Sequence, residues 1–118
     1  MVYAWNDTVP IYRQLRDRVV AMILDGELKQ GEAVPSVRQV AVDYQINPLT
    51  VSKAYQELVD ENLLEKRRGL GLFVGEGARA RLLDLERQRF LREEWPMLRA
   101  RLARLDLDLN TLLTMGDT

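Results

Sequence analysis

The stretch Gln45-Ile46-Asn47-Pro48-Leu49-Thr50-Val51 carries three helix-start signals at once. Asn47 has a side-chain oxygen suited to an N-cap. Pro48 fits the first helical position, where its missing N–H is no loss. Ile46 and Val51 stand at the two positions of a hydrophobic staple. A helix therefore starts here and runs to about Asn62. Its spacing turns Val51, Ala54, Tyr55 and Leu58 inward and leaves Pro48, Leu49, Ser52, Lys53 and Gln56 nearer solvent. Just upstream, Ser36-Val37-Arg38-Gln39 forms a capping box. It opens a short helix with one apolar side of Val37, Val40, Ala41 and Tyr44, ending near Tyr44. The two helices are joined by a tight turn.

The flanking segments complete this unit. Residues 1–9 read as an irregular arm. Ile11, Leu15, Val19 and Ile23 recur every four residues, with Tyr12 and Met22 beside them, and predict an amphipathic helix from Pro10 to Asp25-Gly26. Residues 26–35, punctuated by Gly26, Gly31 and Pro35, read as a connection anchored by Leu28 and Val34. After the third helix the period changes. Leu63–Lys66 and Leu70–Val74 are short strand candidates around an Arg67-Arg68-Gly69 turn. Beyond Gly75-Glu76-Gly77 the chain becomes rich in Leu and Arg. Leu91, Trp95, Leu98, Leu102 and Leu105 follow a four-three-four-three spacing, with Leu82, Leu83, Leu85 and Phe90 extending the apolar surface. Pro96 is expected to kink or split this helix near Glu94. Asp106–Asn110 breaks the pattern. A short final turn at Thr111–Leu113, capped by Asp108, and a frayed 114–118 complete the expectation.

Composition removes several classes of function. The 118 residues suffice for one small domain, or one domain with an appendage, and a separate ligand-binding domain of typical size is not expected. There is no His and no Cys, which excludes Cys/His zinc sites, thiol nucleophiles, disulfides and imidazole bases. Glu93-Glu94 and Asp106/Asp108 pair carboxylates without any accompanying base or ligand. No catalytic residue, metal site or cofactor is expected, and the wing glycines do not form a phosphate loop. No stretch approaches a membrane span, and the N-terminus does not have the form of a signal peptide, so a cytoplasmic, soluble protein is expected.

The pattern of short helix, tight turn, helix and small hairpin can place the third helix in a DNA major groove, with the hairpin along the backbone or in the minor groove. The residues that carry it resemble the GntR family of bacterial transcriptional repressors. They are Ile11–Leu15, Gly26–Gly31, Pro35–Arg38, Ile46–Pro48, Thr50–Leu58 and Arg67–Val74, in order and nearly continuous over 10–74. The Ile-Asn-Pro turn and the short helical tail are similar to the YtrA-type branch. The resemblance implies that Asn47, Pro48, Leu49 and Ser52 face the major groove. It also implies that Arg38 holds a phosphate or reaches the groove edge, that Lys53 contacts a phosphate or charges the helix surface, and that Arg68 and Gly69, with Arg67 beside them, approach the minor groove. Two positions depart from the branch. Leu49 stands where Asn is usual, and Asn62 stands where Gly is usual. Plainer roles exist for the same residues: Ser36 and Asn47 as caps, Arg38 as a solvated helix-end charge, Arg67-Arg68 as an exposed turn. Tyr12, Tyr44 and Tyr55 read as core aromatics.

The expected fold class is mainly α with a small β-hairpin: a winged helix-turn-helix over residues 1–76 and a helical dimerisation tail over 77–118. The winged domain is expected to be complete by Val74, which leaves Phe90, Leu91, Trp95, Leu98, Leu102 and Leu105 for a second copy. The partners are then a double-stranded DNA operator with two-fold symmetry and a second copy of the chain. Any small-molecule effector would bind at the dimer interface or between tail and winged domain. Residues 1–74 hold nine basic and ten acidic side chains, so binding must rely on local placement and weaken with salt. This balance argues against a nonspecific architectural DNA protein. The other class is a protein-interaction module, which an exposed apolar patch on the groove-facing surface would favour.

Overall fold

The computed structural model describes residues 5–115. Two compact units divide the chain, Met1–Leu83 and Asp84–Thr118.

In the first unit, α1 (Ile11–Leu24) begins at Pro10, whose carbonyl accepts from the N–H groups of Arg13 and Gln14 at 3.1 and 3.3 Å. Ser36 caps α2 (Val37–Tyr44) by accepting from Gln39 N–H at 3.1 Å. Only this half of the expected capping box forms. The Gln39 side chain turns forward and donates to Asp43 Oδ1 at 2.8 Å instead of reaching back. Asn47 caps α3 (Pro48–Asp60), with Pro48 in the first turn as expected. Three helices end in the same left-handed closure. Gly26 (φ 84), Gln45 (φ 56) and Asn62 (φ 62) each turn the chain out of the helix. In each, the next residue's N–H returns to a carbonyl five positions back: Glu27 to Met22, Ile46 to Ala41, Leu63 to Leu58.

The antiparallel hairpin of β1 (Leu64–Arg67) and β2 (Gly71–Val74) pairs Leu64 with Val74 and Arg67 with Gly71. The segment expected to be a plain connection also joins it. Gly31 N–H bonds Val74 O at 2.9 Å, Val74 N–H bonds Glu32 O at 2.8 Å and Val34 N–H bonds Leu72 O at 2.9 Å, with Ala33 opposite Phe73. The wing is thus tied on its β2 side to the chain that leads into α2.

The core joins Leu15, Val19, Val20 and Ile23 of α1, Val40 and Ala41 of α2, Val51, Ala54, Tyr55 and Leu58 of α3, and Leu63, Leu64 and Val74 of the hairpin. Ile11, expected inward, is 37% exposed at the helix start. The core is not complete by Val74. Ala78 and Leu82, in the first turns of α4 (Ala78–Arg89), are each only 1% exposed and belong to it. Arg79 Nε donates to the Leu24 carbonyl at 3.0 Å, Gly77 N–H to Gln30 Oε1 at 2.9 Å, and Arg81 to the carbonyls of Glu76 and Asn62. Leu82 therefore serves this core and not the apolar stripe of the tail.

Arg16, largely buried, bridges α1 to the end of α3. Its guanidinium donates to both Glu61 oxygens, with Nη2 2.7 Å from each. Burial works against its charge, but the Glu61 hydrogen bond and the charges of Glu61, Asp17 and Glu57 outweigh it, and the pKa is raised.

The second unit is helical. The end of α4 passes into a π-helical turn (Phe90–Glu94), then α5 (Trp95–Arg104) and α6 (Leu109–Met115). Pro96 has no N–H for the Arg92 carbonyl and its ring crowds that carbonyl. The ladder widens one turn earlier, where Trp95 N–H reaches Phe90 O. The expected interruption near Glu94 is therefore a wide turn, after which α5 resumes. Asp106 (φ 56) closes α5 as Gly26 closes α1, with Leu107 N–H on Leu102 O at 2.9 Å. Leu112 N–H bonds the Asp108 carbonyl at 3.1 Å at the start of α6. Thr114 and Met115, expected to fray, are part of α6; residues 1–4 of the expected arm and 116–118 lie outside the described residues. No helix among the described residues is long and apolar enough to cross a membrane.

Tyr55 joins the core to the strand-like segment. Its hydroxyl donates to the Pro35 carbonyl at 2.7 Å. Burial, with Tyr44 nearby, pushes its pKa up to about 12 from an ordinary 10.0. The unfolded chain ionises this phenol first, so its contribution is complete below pH 10 and is lost as pH rises from about 10 to about 12. Tyr55→Phe should remove that alkaline loss. It should also lower stability at neutral pH by about 1 kcal/mol, because the Pro35 carbonyl loses its donor. Urea unfolding of both proteins at pH 7 and across pH 10–12 measures the two effects separately.

Candidate nucleic-acid interface

Helix α3 has two faces set by one geometry. Val51, Ala54, Tyr55 and Leu58 form an i, i+3, i+4, i+7 stripe that is 0–3% exposed. Leu49, Ser52, Lys53 and Gln56 repeat that stripe two residues earlier, about 200° round the axis at ~100° per residue. All four are exposed. Burial of one stripe therefore presents the other.

The first turn of that exposed face is held by Asn47. Its Oδ1 accepts from Leu49 N–H at 2.8 Å. Pro48 contributes no N–H, and Leu49 projects outward with 76% of its surface exposed. Ser52 is exposed one turn on. Lys53 does not swing freely, because its Nζ lies 3.9 Å from the centre of the Tyr12 ring, a cation–π contact that braces α3 against α1. Arg38, in the first turn of α2, is exposed and has no ion pair or hydrogen bond among the described residues. With Pro48 it borders an open hollow between α2 and the start of α3, lined otherwise by Val37, Ala41, Val42 and Ile46. Arg38 and Pro48 thus border one hollow, while Asn47, Leu49 and Ser52 are exposed at and beside the start of α3.

The wing residues form a second group, with divided roles. Gly69 (φ 77) and the Leu70 N–H bond to Arg67 O at 2.9 Å make a tight turn of type II form. Arg67 lies 4.2 Å over the Phe73 ring and 3.3 Å from Glu65 Oε2, on the same face of the hairpin. It stiffens the wing. Arg68, exposed at the apex, has no ion pair among the described residues. Leu70 beside it is 72% exposed.

Three participants escaped sequence reasoning. Phe73 was legible in principle, since strand alternation places it on the Arg67 face. Tyr12 meets Lys53 across two helices, and nothing local signals that pairing. Val42 is 67% exposed on α2, and its place beside the buried Ala41 gives no local signal of an exposed role.

The cap can be tested apart from any ligand. Asn47→Ala should lower unfolding free energy by about 1 kcal/mol, as loss of an N-cap acceptor does. Asn47→Asp, which keeps the acceptor, should stay within a few tenths of the parent in the same thermal or urea unfolding experiment.

Known proteins share this arrangement. The family model for bacterial regulatory proteins of the gntR family matches residues 11–74, from the start of α1 to the end of β2 and over half the chain. The HTH-type transcriptional repressor YtrA of Bacillus subtilis is 40% identical over 79 residues, 67% of this chain and 61% of the repressor, so the match spans less than two thirds of that relative. A GntR family transcriptional regulator from Listeria monocytogenes has the same fold at TM-score 0.76, over 94% of this chain and 96% of that one, at 21% identity. YtrA from Sulfolobus acidocaldarius, a GntR-family transcription factor, is 35% identical at TM-score 0.58, over 73% of this chain and 90% of that one. With two capped helices, a left-handed turn between them and a hairpin wing behind them, the chain belongs to the gntR family of bacterial regulatory proteins, DNA-binding winged helix-turn-helix regulators of transcription.

Proposed function

We propose that the protein is a YtrA-like, homodimeric repressor that binds a two-fold symmetric operator and blocks the polymerase. The observation that carries the DNA-reading part is the exposed first turn of α3, Asn47 to Ser52, held by its cap and backed by a buried stripe. In this reading Asn47, Pro48, Leu49 and Ser52 enter the major groove. Arg38 and Lys53 sit against the backbone, and Arg68 and Gly69 reach the minor groove with Arg67 as their stiffener. The protein then acts in the cytoplasm, where the DNA is.

Assembly is supported by a different observation. Among the described residues from Asp84 onward none is buried. Phe90, Leu91, Leu98 and Leu105 are 40%, 62%, 43% and 51% exposed, and Trp95 and Leu102 are half-buried. An amphipathic stripe without a core of its own is satisfied by the same stripe of a second copy. The π turn adjusts the stripe's phase. Because Trp95 N–H closes on Phe90 O, Phe90 lies one turn below Trp95, while Leu91 is rotated off the line and is the more exposed of the two. Residues 1–76 then carry recognition and 77–118 assembly, with Ala78 and Leu82 lent to the first unit's core.

One observation favours the second reading, a protein-interaction module. Val42 and Leu49 are 67% and 76% exposed, and Val42 lines the apolar hollow beside Arg38. Selection of duplexes from a random pool separates the readings. A repressor should enrich a palindromic sequence, and a protein-binding module should enrich none.

Arg38→Ala should weaken binding to the selected duplex and to unrelated duplexes alike. It should also reduce the slope of log affinity against log salt by about 1 per lost phosphate contact. Sedimentation equilibrium tests the assembly. The parent should run as a dimer, and Leu98→Glu with Leu102→Glu should run as a monomer of unchanged helicity. A parent that is monomeric at tens of micromolar would refute the dimeric form of the proposal.

A further inference from the structure

We infer that Leu49 reads the C5-methyl group of a thymine in the major groove, so that each half of the operator holds one thymine that cytosine or a methyl-free base cannot replace. The inference deepens the DNA-binding reading and rests on it. It starts from where the apolar surface lies. Leu49 is the most exposed of the large hydrophobic side chains among the described residues, at 76%. It stands in the first helical turn of α3, the part of a recognition helix that meets base edges.

Its surroundings decide what it can recognise. Leu49 N–H is occupied by Asn47 Oδ1 at 2.8 Å, and Pro48 has no N–H to offer. Pro48 and Leu49 thus put only carbon forward at the tip. Of the four bases, only thymine presents a methyl group on its major-groove edge. Against guanine O6 and N7 or the cytosine amino group, the same side chain would strip water from polar atoms and return no hydrogen bond. The contact therefore attracts thymine and penalises a G·C pair at the same place. The cap also fixes the backbone of this turn, so the side chain is offered in a defined position and not on a loose loop.

The experiment removes the methyl group and nothing else. The full chain selects its preferred duplex from a random pool, and each thymine of that duplex is then replaced singly by deoxyuridine. Uracil keeps every hydrogen-bonding group of thymine in both grooves. One thymine in each half-site should be sensitive, with binding about fourfold weaker for the lost methyl contact. Leu49→Ala, an exposed truncation that leaves the core untouched, should bind the thymine and uracil duplexes equally. Leu70→Ala, at the wing, should keep the full uracil penalty, because the two bases are identical on the minor-groove edge. Uniform tolerance of uracil by the parent would overturn the inference, and so would a uracil penalty that survives in Leu49→Ala. Either result leaves sequence-specific binding intact. Enrichment of no sequence at all would overturn the DNA-reading proposal, and this inference with it.

Discussion

The burial of Val51, Ala54, Tyr55 and Leu58 against α1, α2 and β1 is the constraint on which the first unit depends. A helix is rigid, so fixing the azimuth of one stripe fixes every other. Leu49, Ser52 and Gln56 face solvent because they sit two residues out of phase with the core stripe, not because solvent attracts each of them. The braces act on the same rotation. Tyr55 holds the Pro35 carbonyl, Lys53 lies over Tyr12, and Arg16 clasps Glu61 just past the end of α3. Rolling α3 would break all three together. A polar exposed face on such a helix is positioned to within the tolerance of its core packing, which is what recognition by close contact needs.

Helix beginnings were legible because their chemistry is local. Ser36 and Asn47 cap where their oxygens can reach the next turn's amides, and Pro48 is tolerated only where it stands. Helix ends were half legible. Gly26 and Asn62 carry a preference for the left-handed backbone, and Asn62 adopts it where Gly is more usual. Gln45 and Asp106 adopt it with less local inclination, at a cost of about 1 kcal/mol each. At Gln45 the closing bond of Ile46 to Ala41 offsets that strain, and the short turn into α3 leaves no other route. The third strand-like edge at Gly31–Val34 was illegible for a different reason. Its partners are Leu72 and Val74, about forty residues away, and its own glycine and proline spacing is that of a loop.

The residues of the proposed interface can be named from the sequence, but the division of labour among them cannot. Arg67 and Arg68 are neighbours of identical chemistry. Strand alternation carries Arg67 onto Phe73 and Glu65, while the turn carries Arg68 to the apex. Lys53 stands on the exposed face as expected, and its contact with the Tyr12 ring, which no local pattern signals, also braces α3. The tail shows the same limit. Heptad spacing assumes one pitch from Leu91 to Trp95, but the π turn before Pro96 widens the helix between them. A spacing argument holds only as long as the helix keeps one pitch.

Charge placement explains how a domain with one more acidic than basic side chain over residues 1–74 can still read DNA. Arg16 is spent on Glu61, Arg18 donates to the Tyr44 hydroxyl, Lys53 lies on Tyr12 and Arg67 on Phe73. Arg38 on the recognition surface and Arg68 on the wing, like Arg13, Lys29 and Lys66, are exposed without an ion pair among the described residues. Nonspecific affinity grows with the number of phosphates neutralised, and the cations tied to Glu61, Tyr44 and Phe73 are not free to add to it. Acidic neighbours suppress it further. A regulator built this way gains most of its preference for one site from contacts that only that site can satisfy. In the proposed reading, backbone contacts position the protein and base contacts specify the site, so the uncharged residues at the tip of α3, Asn47, Pro48, Leu49 and Ser52, would weigh more in choosing the site than the arginines.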